Sequence, residues 1–306
     1  MPAIELDGVT KRFGDVTALR GVDMEVDEGE VFGFLGPNGA GKTTTIDILL
    51  DYVRPTAGSA RVFGHDVRED PRAVRERTGV LPEGFDVYER LTGRQHLAFV
   101  RESKAAGDDV DAVFERVGLE PDAADRKTGG YSRGMKQRLV LGMALVGDPD
   151  LLILDEPSTG LDPNGARRMR QIVREEAEDG TTVFFSSHIL SQVEAVCDRV
   201  AILQDGEVVA TDTVEGLRSA VDVGSVLTVS LAAPVDGVAE AAERVDGVES
   251  ARSDGATVTV TGAGDEKMAV LTAIENAGGD VEDFSVEEAS LDELFAAYTD
   301  RTEDEQ

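Results

Sequence analysis

The sequence is short of cations. Its 306 residues carry 30 Lys and Arg against 61 Asp and Glu, a formal net charge of −31, and lysine occurs only at Lys11, Lys42, Lys104, Lys127, Lys136 and Lys267. So acidic a surface repels phosphate backbones, which argues against a nucleic-acid partner. Self-repulsion on this scale strains a compact fold in dilute buffer and is relieved by salt, so the expectation is a halophilic, salt-rich cytoplasm. Tryptophan is absent and cysteine occurs once. The lone Cys197 excludes an internal disulfide, and within Val193-Glu194-Ala195-Val196-Cys197 it reads as a small core residue on a helix. No apolar run approaches the ~18 residues of a membrane helix. Met1-Pro2-Ala3-Ile4-Glu5 lacks the basic-then-apolar pattern of a secretory signal. The expected location is cytoplasmic, with any membrane reached through a partner.

Glycine, by contrast, is concentrated where it matters. Gly36-Pro37-Asn38-Gly39-Ala40-Gly41-Lys42-Thr43-Thr44 follows the apolar run Val31–Leu35 and precedes Thr45–Leu50. Strand, glycine loop, helix is the context that gives a G-x-x-x-x-G-K-[ST] match its meaning. Without Cβ atoms in the way, successive N–H groups can turn inward as a nest for anionic oxygens, and the helix start adds its positive dipole end. Lys42 then suits β- and γ-phosphates and the Thr43 hydroxyl suits Mg²⁺. Nucleotide binding follows; the kind of nucleotide machine does not.

The rest of the chain reads as a mixed α/β protein. Ala3–Leu6 and Ala18–Val26 are expected strands, with Phe13 standing in a polar turn, Thr10–Gly14, where an exposed ring can stack on a purine. A strand turns at Gly64, a short helix spans Asp70–Arg77, and the strand from Thr78 runs into a loop at Glu83. Apolar spacing from Thr92 to about Gly118 is helical, a subdomain inserted into the α/β core. After Tyr131–Arg138 an apolar helix is expected over Leu139–Val146. Leu151–Glu156 is four apolar residues and then two acids, a buried strand whose carboxyl end opens into a site, as ligands bind at that end in open α/β sheets. A helix follows over 164–179, and Thr181–His188 repeats the strand-then-polar arrangement. A hairpin turns at Asp205-Gly206. Composition shifts near Leu217–Gly224, giving an expected boundary at 220/221. Beyond it the order strand (Val226–Leu231), helix, strand, strand, helix, strand (Val281–Val286) suggests a ferredoxin-like domain, closed by a helix over Leu291–Tyr298 and a polar tail from Arg301.

Over about residues 3–220 the chain resembles the ATPase subunit of an ATP-binding cassette (ABC) transporter, most of all the branch paired with separate ABC-2-type export permeases. Gly36–Thr44 matches the Walker A loop, Leu151–Glu156 Walker B and Ser158–Asp162 the D-loop, while His188 falls at the H-loop. Tyr131–Gln137 stands where the family has Leu-Ser-Gly-Gly-Gln, keeping Ser132 and Gly134 and substituting Tyr131, Arg133 and Met135. Glu83 stands where many members have glutamine, and Phe13 where tyrosine is usual. Phe13 keeps the ring face and loses only a hydroxyl; Glu83, with Tyr-Ser-x-Gly-Met, is similar to the drug-export branch, and Ala289–Phe295 is similar to the tail of its C-terminal domain.

The resemblance implies a P-loop ATPase domain over 1–220 with a helical subdomain over about 84–148, and an α+β accessory domain over 221–306. It implies ATP and Mg²⁺ as cofactors and an integral-membrane permease as partner. It further implies a head-to-tail homodimer, with each ATP lying between Phe13 and Gly36–Thr44 of one copy and Ser132 and Gly134 of the other. Thr43, Asp155 and Glu83 would arrange the metal, Lys42 the phosphates, Glu156 would deprotonate water and His188 would contact the γ-phosphate. The alternative, a soluble ABC ATPase of translation or DNA repair, is disfavoured because the chain has neither a second cassette nor a coiled-coil insertion.

Overall fold

The computed structural model describes residues 2–220, 226–262 and 266–287. The expected closing helix over 291–298 and the segments 289–295 and 301–306 lie outside them. The chain divides into two compact units, Met1–Val214 and Glu215–Gln306.

In the first unit, β1 (Ile4–Phe13) and β2 (Val16–Val26) are followed by β3 (Val31–Leu35) and α1 (Lys42–Leu49), then β4 (Ala57–Val62) and β5 (His65–Asp66). Four of these strands form an antiparallel sheet in the order β2-β1-β4-β5. β1 does not stop at Leu6. Gly8 takes φ 56° and the pairing with β2 slips between Leu6 and Val9, a bulge that breaks the two-residue alternation while the strand runs on. Phe13 is therefore the last residue of a strand, not part of a loose polar turn, and it is half-exposed.

After α2 (Pro71–Arg77) comes β6 (Thr78–Leu81), and then the inserted helices α3 (Gly93–Lys104), α4 (Val110–Arg116), α5 (Pro121–Ala124) and α6 (Arg133–Leu145). Thr92 and Gln95 form a capping box at the start of α3. α3, α4 and α6 meet at Gly142, where a Cβ would lie 3.2 Å from Val113 and 3.6 Å from Leu97. α6 starts six residues before the expected Leu139. The Ser132 hydroxyl accepts from the Met135 N–H at 3.3 Å and caps the helix, so its first turns are polar.

The core resumes with β7 (Leu151–Asp155), α7 (Pro163–Glu178), β8 (Thr182–Ser187), α8 (Leu190–Glu194), β9 (Arg199–Gln204) and β10 (Glu207–Thr213), and α9 (Val214–Ala220) begins where the first unit ends. Six strands make the central sheet in the order β10-β9-β3-β8-β7-β6, parallel except for β10. Every residue of β3, β7 and β8 is buried, which is why these strands read as unbroken apolar runs. Cys197 lies just past α8, partly buried, rather than on a helix. Because β3, β8 and β7 are neighbours and parallel, with Leu35 opposite Ser187 and Ser186 opposite Asp155, their carboxyl ends open side by side.

The second unit carries β11 (Val226–Leu231), α10 (Val238–Ala242), β12 (Ser250–Asp254), β13 (Thr257–Thr261), α11 (Lys267–Asn276) and β14 (Val281–Glu287), with antiparallel order β12-β13-β11-β14. Leu227, Val229, Val258, Val260, Val270 and Ile274 form its core. This is the expected β-α-β-β-α-β arrangement.

Candidate active site

Three chain exits meet at the carboxyl edge of the central sheet. The first is the glycine loop. Gly39 and Gly41 take φ 88° and 115°, conformations open to glycine. At Gly36 a Cβ would lie 2.4 Å from the Leu203 carbonyl oxygen, so the loop hugs β9. Gly41 is the N-cap of α1 and has no side-chain hydrogen bond to offer, and no acid stands in the first turn. The amides of that turn are thus left for an anion.

Lys42 is buried beneath the loop at 6% exposure. Its Nζ donates to the Gly36 carbonyl at 2.7 Å and the Pro37 carbonyl at 3.3 Å, and lies 3.5 Å from Glu156 Oε1. Thr43, one residue on, is exposed.

The second exit is the acid pair. Asp155 ends β7, and burial pushes its carboxyl above the ordinary range; the Ser186 hydrogen bond and the Lys42 charge oppose the shift, and Glu156 adds to it. Glu156 follows in the left-handed region at φ 50°, which turns its carboxylate back toward the loop. Its N–H is shared by the Ser186 carbonyl and hydroxyl, both at 3.2 Å. Thr159 Oγ1 donates to Glu156 Oε2 at 3.4 Å.

From the third exit, His188 places Nδ1 2.9 Å from Glu156 Oε1. Lys42, Glu156 and His188 are thereby one connected group, with Asp155 alongside. Glu83 is exposed, and its backbone hydrogen-bonds to the Asp155 carboxylate.

The Phe13 ring lies 4.7 Å from Lys11 Nζ. Among the described residues, no hydrogen bond or ion pair joins Ser132 or Gly134 to the glycine loop. Gly134 instead packs toward Leu161, which a Cβ would approach at 3.3 Å, and Arg133 donates to the Thr159 carbonyl at 3.1 Å. Gln137, buried, donates to the Pro157 carbonyl and ties α6 to the turn after the acids.

Sequence reading passed over Ser186 as a site residue. The signal was present: a serine pair closing an otherwise apolar strand has two polar groups that burial obliges to find partners.

The donor set fits a nucleoside triphosphate with Mg²⁺. Hard oxygen donors, the Asp155 carboxylate and the Thr43 hydroxyl, leave further positions for phosphate oxygens, the way Mg²⁺ is commonly held. Among the described residues, no cluster of three or more His, Cys, Asp or Glu offers a metal cage independent of a ligand.

Comparison with known proteins agrees. The ABC transporter profile matches residues 19–159, and the profile for the C-terminal domain of ATP-binding proteins like DrrA1-3 matches residues 213–299. The daunorubicin/doxorubicin resistance ATP-binding protein DrrA of Streptomyces peucetius is 36% identical over 99% of this chain and 94% of its own length. An uncharacterised ABC transporter ATP-binding protein of Bacillus subtilis, YdbJ, is 40% identical over 70% of each chain. A solved ATP-binding subunit of an ABC transporter superposes with TM-score 0.66 at 28% identity, covering 71% of this chain and 92% of its own. A second, described as the dimeric structure of the bacterial cassette MJ0796, gives TM-score 0.63 at 25% identity over 69% of this chain and 98% of its own. With its fold, its loop and its acid pair in place, the chain belongs to the ABC transporter family and is an ATP-hydrolysing subunit of such a transporter.

Proposed function

We propose that the chain drives export through a separate integral-membrane permease, to which it binds peripherally from the cytoplasm, by ATP-dependent head-to-tail pairing of two copies. Residues 1–220 act as the ATPase domain, with the helical subdomain over about 84–148, and 221–306 as the accessory domain. The observation that carries this reading is the linkage of Lys42, Glu156 and His188 at the mouth of the glycine loop. Export is supported by the resistance and export names of its relatives, such as the Nod factor export ATP-binding protein I of Burkholderia lata, 40% identical over 69% of this chain and 71% of its own. No described helix is long and apolar enough to cross a membrane.

Within the site, the amides of Gly36–Thr44 and the Lys42 ammonium hold the phosphates, with Pro37, Asn38, Gly39, Ala40 and Gly41 shaping the loop and Thr44 lining it. Thr43, Asp155 and Glu83 would hold Mg²⁺, which would supply positive charge against the phosphate oxygens. Phe13 offers a half-exposed ring face for the adenine. Glu156 takes the proton from the attacking water, its carboxylate aimed by the left-handed turn. His188 contacts the γ-phosphate while holding the Glu156 oxygen that also faces Lys42. Positioning and charge stabilisation supply most of the rate in such a transfer.

Ser132 and Gly134 sit away from their own loop, which supports their use by a second copy. The net charge of −31 supports a salt-rich cytoplasm as the setting.

Pairing is testable by cross-linking. In a Cys197→Ala background, Asn38→Cys and Ser132→Cys should give an intermolecular disulfide with ATP and Mg²⁺ and none without nucleotide. Absence of a nucleotide-dependent cross-link would rule out the head-to-tail arrangement. Co-purification of an integral-membrane protein from the native membrane checks the partner.

A further inference from the structure

β8 closes with two serines that are both fully buried. Ser187 serves the next turn, its hydroxyl accepting from the Ile189 N–H at 3.0 Å. Ser186 faces the acid pair instead. Its hydroxyl donates to Asp155 Oδ1 at 2.5 Å and accepts from the Glu156 N–H at 3.2 Å. One oxygen atom thus touches both acids.

The two bonds are not equally replaceable. The Glu156 N–H also reaches the Ser186 carbonyl, so it keeps a partner if the hydroxyl is removed. Asp155 is held otherwise by the Glu83 backbone, and Glu83 is exposed on a loop. Loss of the hydroxyl therefore falls on Asp155. A short bond from a neutral hydroxyl to a buried carboxylate is of the strong, charge-assisted kind, and it fixes the carboxylate's rotation.

We infer that Ser186 is a positioning residue for the divalent cation that accompanies the nucleotide, acting by locking the Asp155 carboxylate in its metal-binding orientation. The inference rests on the proposed role of Asp155 as a metal ligand. Partners that orient ligating side chains typically carry 10–100-fold in metal affinity or activity when removed.

Mn²⁺ is the probe, titrated by electron paramagnetic resonance into the full chain with a non-hydrolysable ATP analogue. Ser186→Ala should weaken Mn²⁺ binding by about 10–100-fold. Metal-independent nucleotide binding in EDTA should be retained, while the thermal midpoint of the nucleotide-free protein falls only as far as one lost buried hydrogen bond requires. Ser186→Thr keeps the hydroxyl and should keep wild-type Mn²⁺ affinity; it also serves if the alanine variant does not fold. In an Asp155→Asn background, Ser186→Ala should add no further loss, because both act through one carboxylate. Wild-type Mn²⁺ affinity in Ser186→Ala overturns the inference, as does a Ser186→Thr loss equal to that of alanine, or full additivity with Asp155→Asn. Unchanged affinity in Asp155→Asn alone is a separate outcome, which removes Asp155 as a ligand and this inference with it.

Discussion

Replacing Glu156 with glutamine separates chemistry from binding in this site. The change keeps the side chain's size and leaves its anchors alone: the backbone N–H stays with Ser186, and Lys42 stays on the Gly36 and Pro37 carbonyls. The fold should not notice. What disappears is the proposed proton acceptor, beside His188, and the charge 3.5 Å from Lys42. A positioned base contributes about 10²–10⁴-fold, which is about 2.7–5.4 kcal/mol of barrier. At that separation, with an effective dielectric near 20, the gross attraction between the Lys42 and Glu156 charges is on the order of 4–5 kcal/mol. Desolvation of both groups offsets part of it. Removing the carboxylate therefore releases Lys42 toward phosphate, and ATP affinity should hold or rise while turnover falls. Phosphate release at saturating MgATP measures the first quantity, and equilibrium binding of a fluorescent ATP analogue the second. Size-exclusion chromatography with light scattering should show a dimer accumulating with ATP. A turnover loss of less than tenfold, or ATP binding weakened severalfold, would refute the role given to Glu156.

Other consequences are testable singly. Gly36→Ala forces a Cβ against the Leu203 carbonyl, which is backbone and cannot yield cheaply; a stability loss of about 1–3 kcal/mol and impaired ATP binding are expected by urea denaturation and nucleotide titration. Arg116 on α4 makes a two-pronged pair with Glu176 on α7, whose side chain is 2% exposed. Arg116→Ala leaves that carboxylate unpaired and should cost about 3 kcal/mol, the low end for a broken buried pair because Arg116 is partly exposed; a cost below 1 kcal/mol by chemical denaturation would contradict this. Burial pushes the Cys197 thiol up, so the folded state keeps its proton above pH ~8.5 where the unfolded thiol ionises. Stability from this group is intact at lower pH and falls above that point by up to about 1.4 kcal/mol per pH unit; Cys197→Ala should show a shallower decline. Finally, a thermal midpoint no higher in 2 M than in 0.1 M KCl would refute the halophilic assignment.

Much of the site was legible because its constraints are local. A five-residue buried strand, glycines and a lysine declare the loop, and the acids after Leu154 declare an exit. Other features depend on partners distant in sequence. β1 continues past Leu6 because a bulge at Gly8 breaks the alternation that pattern reading follows. α6 begins at Arg133 because Ser132 caps it, although the first residues of that helix lack an apolar stripe. Ser186 could be seen as buried, but its bond to Asp155 requires knowing that β7 and β8 are neighbours. The expected turn around Phe13 failed for the same reason, since it depended on pairing that composition does not record, whereas Cys197 is off the helix because α8 ends at Glu194.

The strand order has a temporal meaning. β3 and its glycine loop emerge early from the ribosome, but Val31 and Phe32 pair with Val183 and Phe184, which are made much later. Until then the loop has no neighbour on that side: β7, which carries the acid pair, joins β3 only through β8, and His188 follows β8. Contacts so far apart along a chain form slowly. An incomplete polypeptide therefore carries a recognisable phosphate signature before the strands that complete its surroundings can assemble around it.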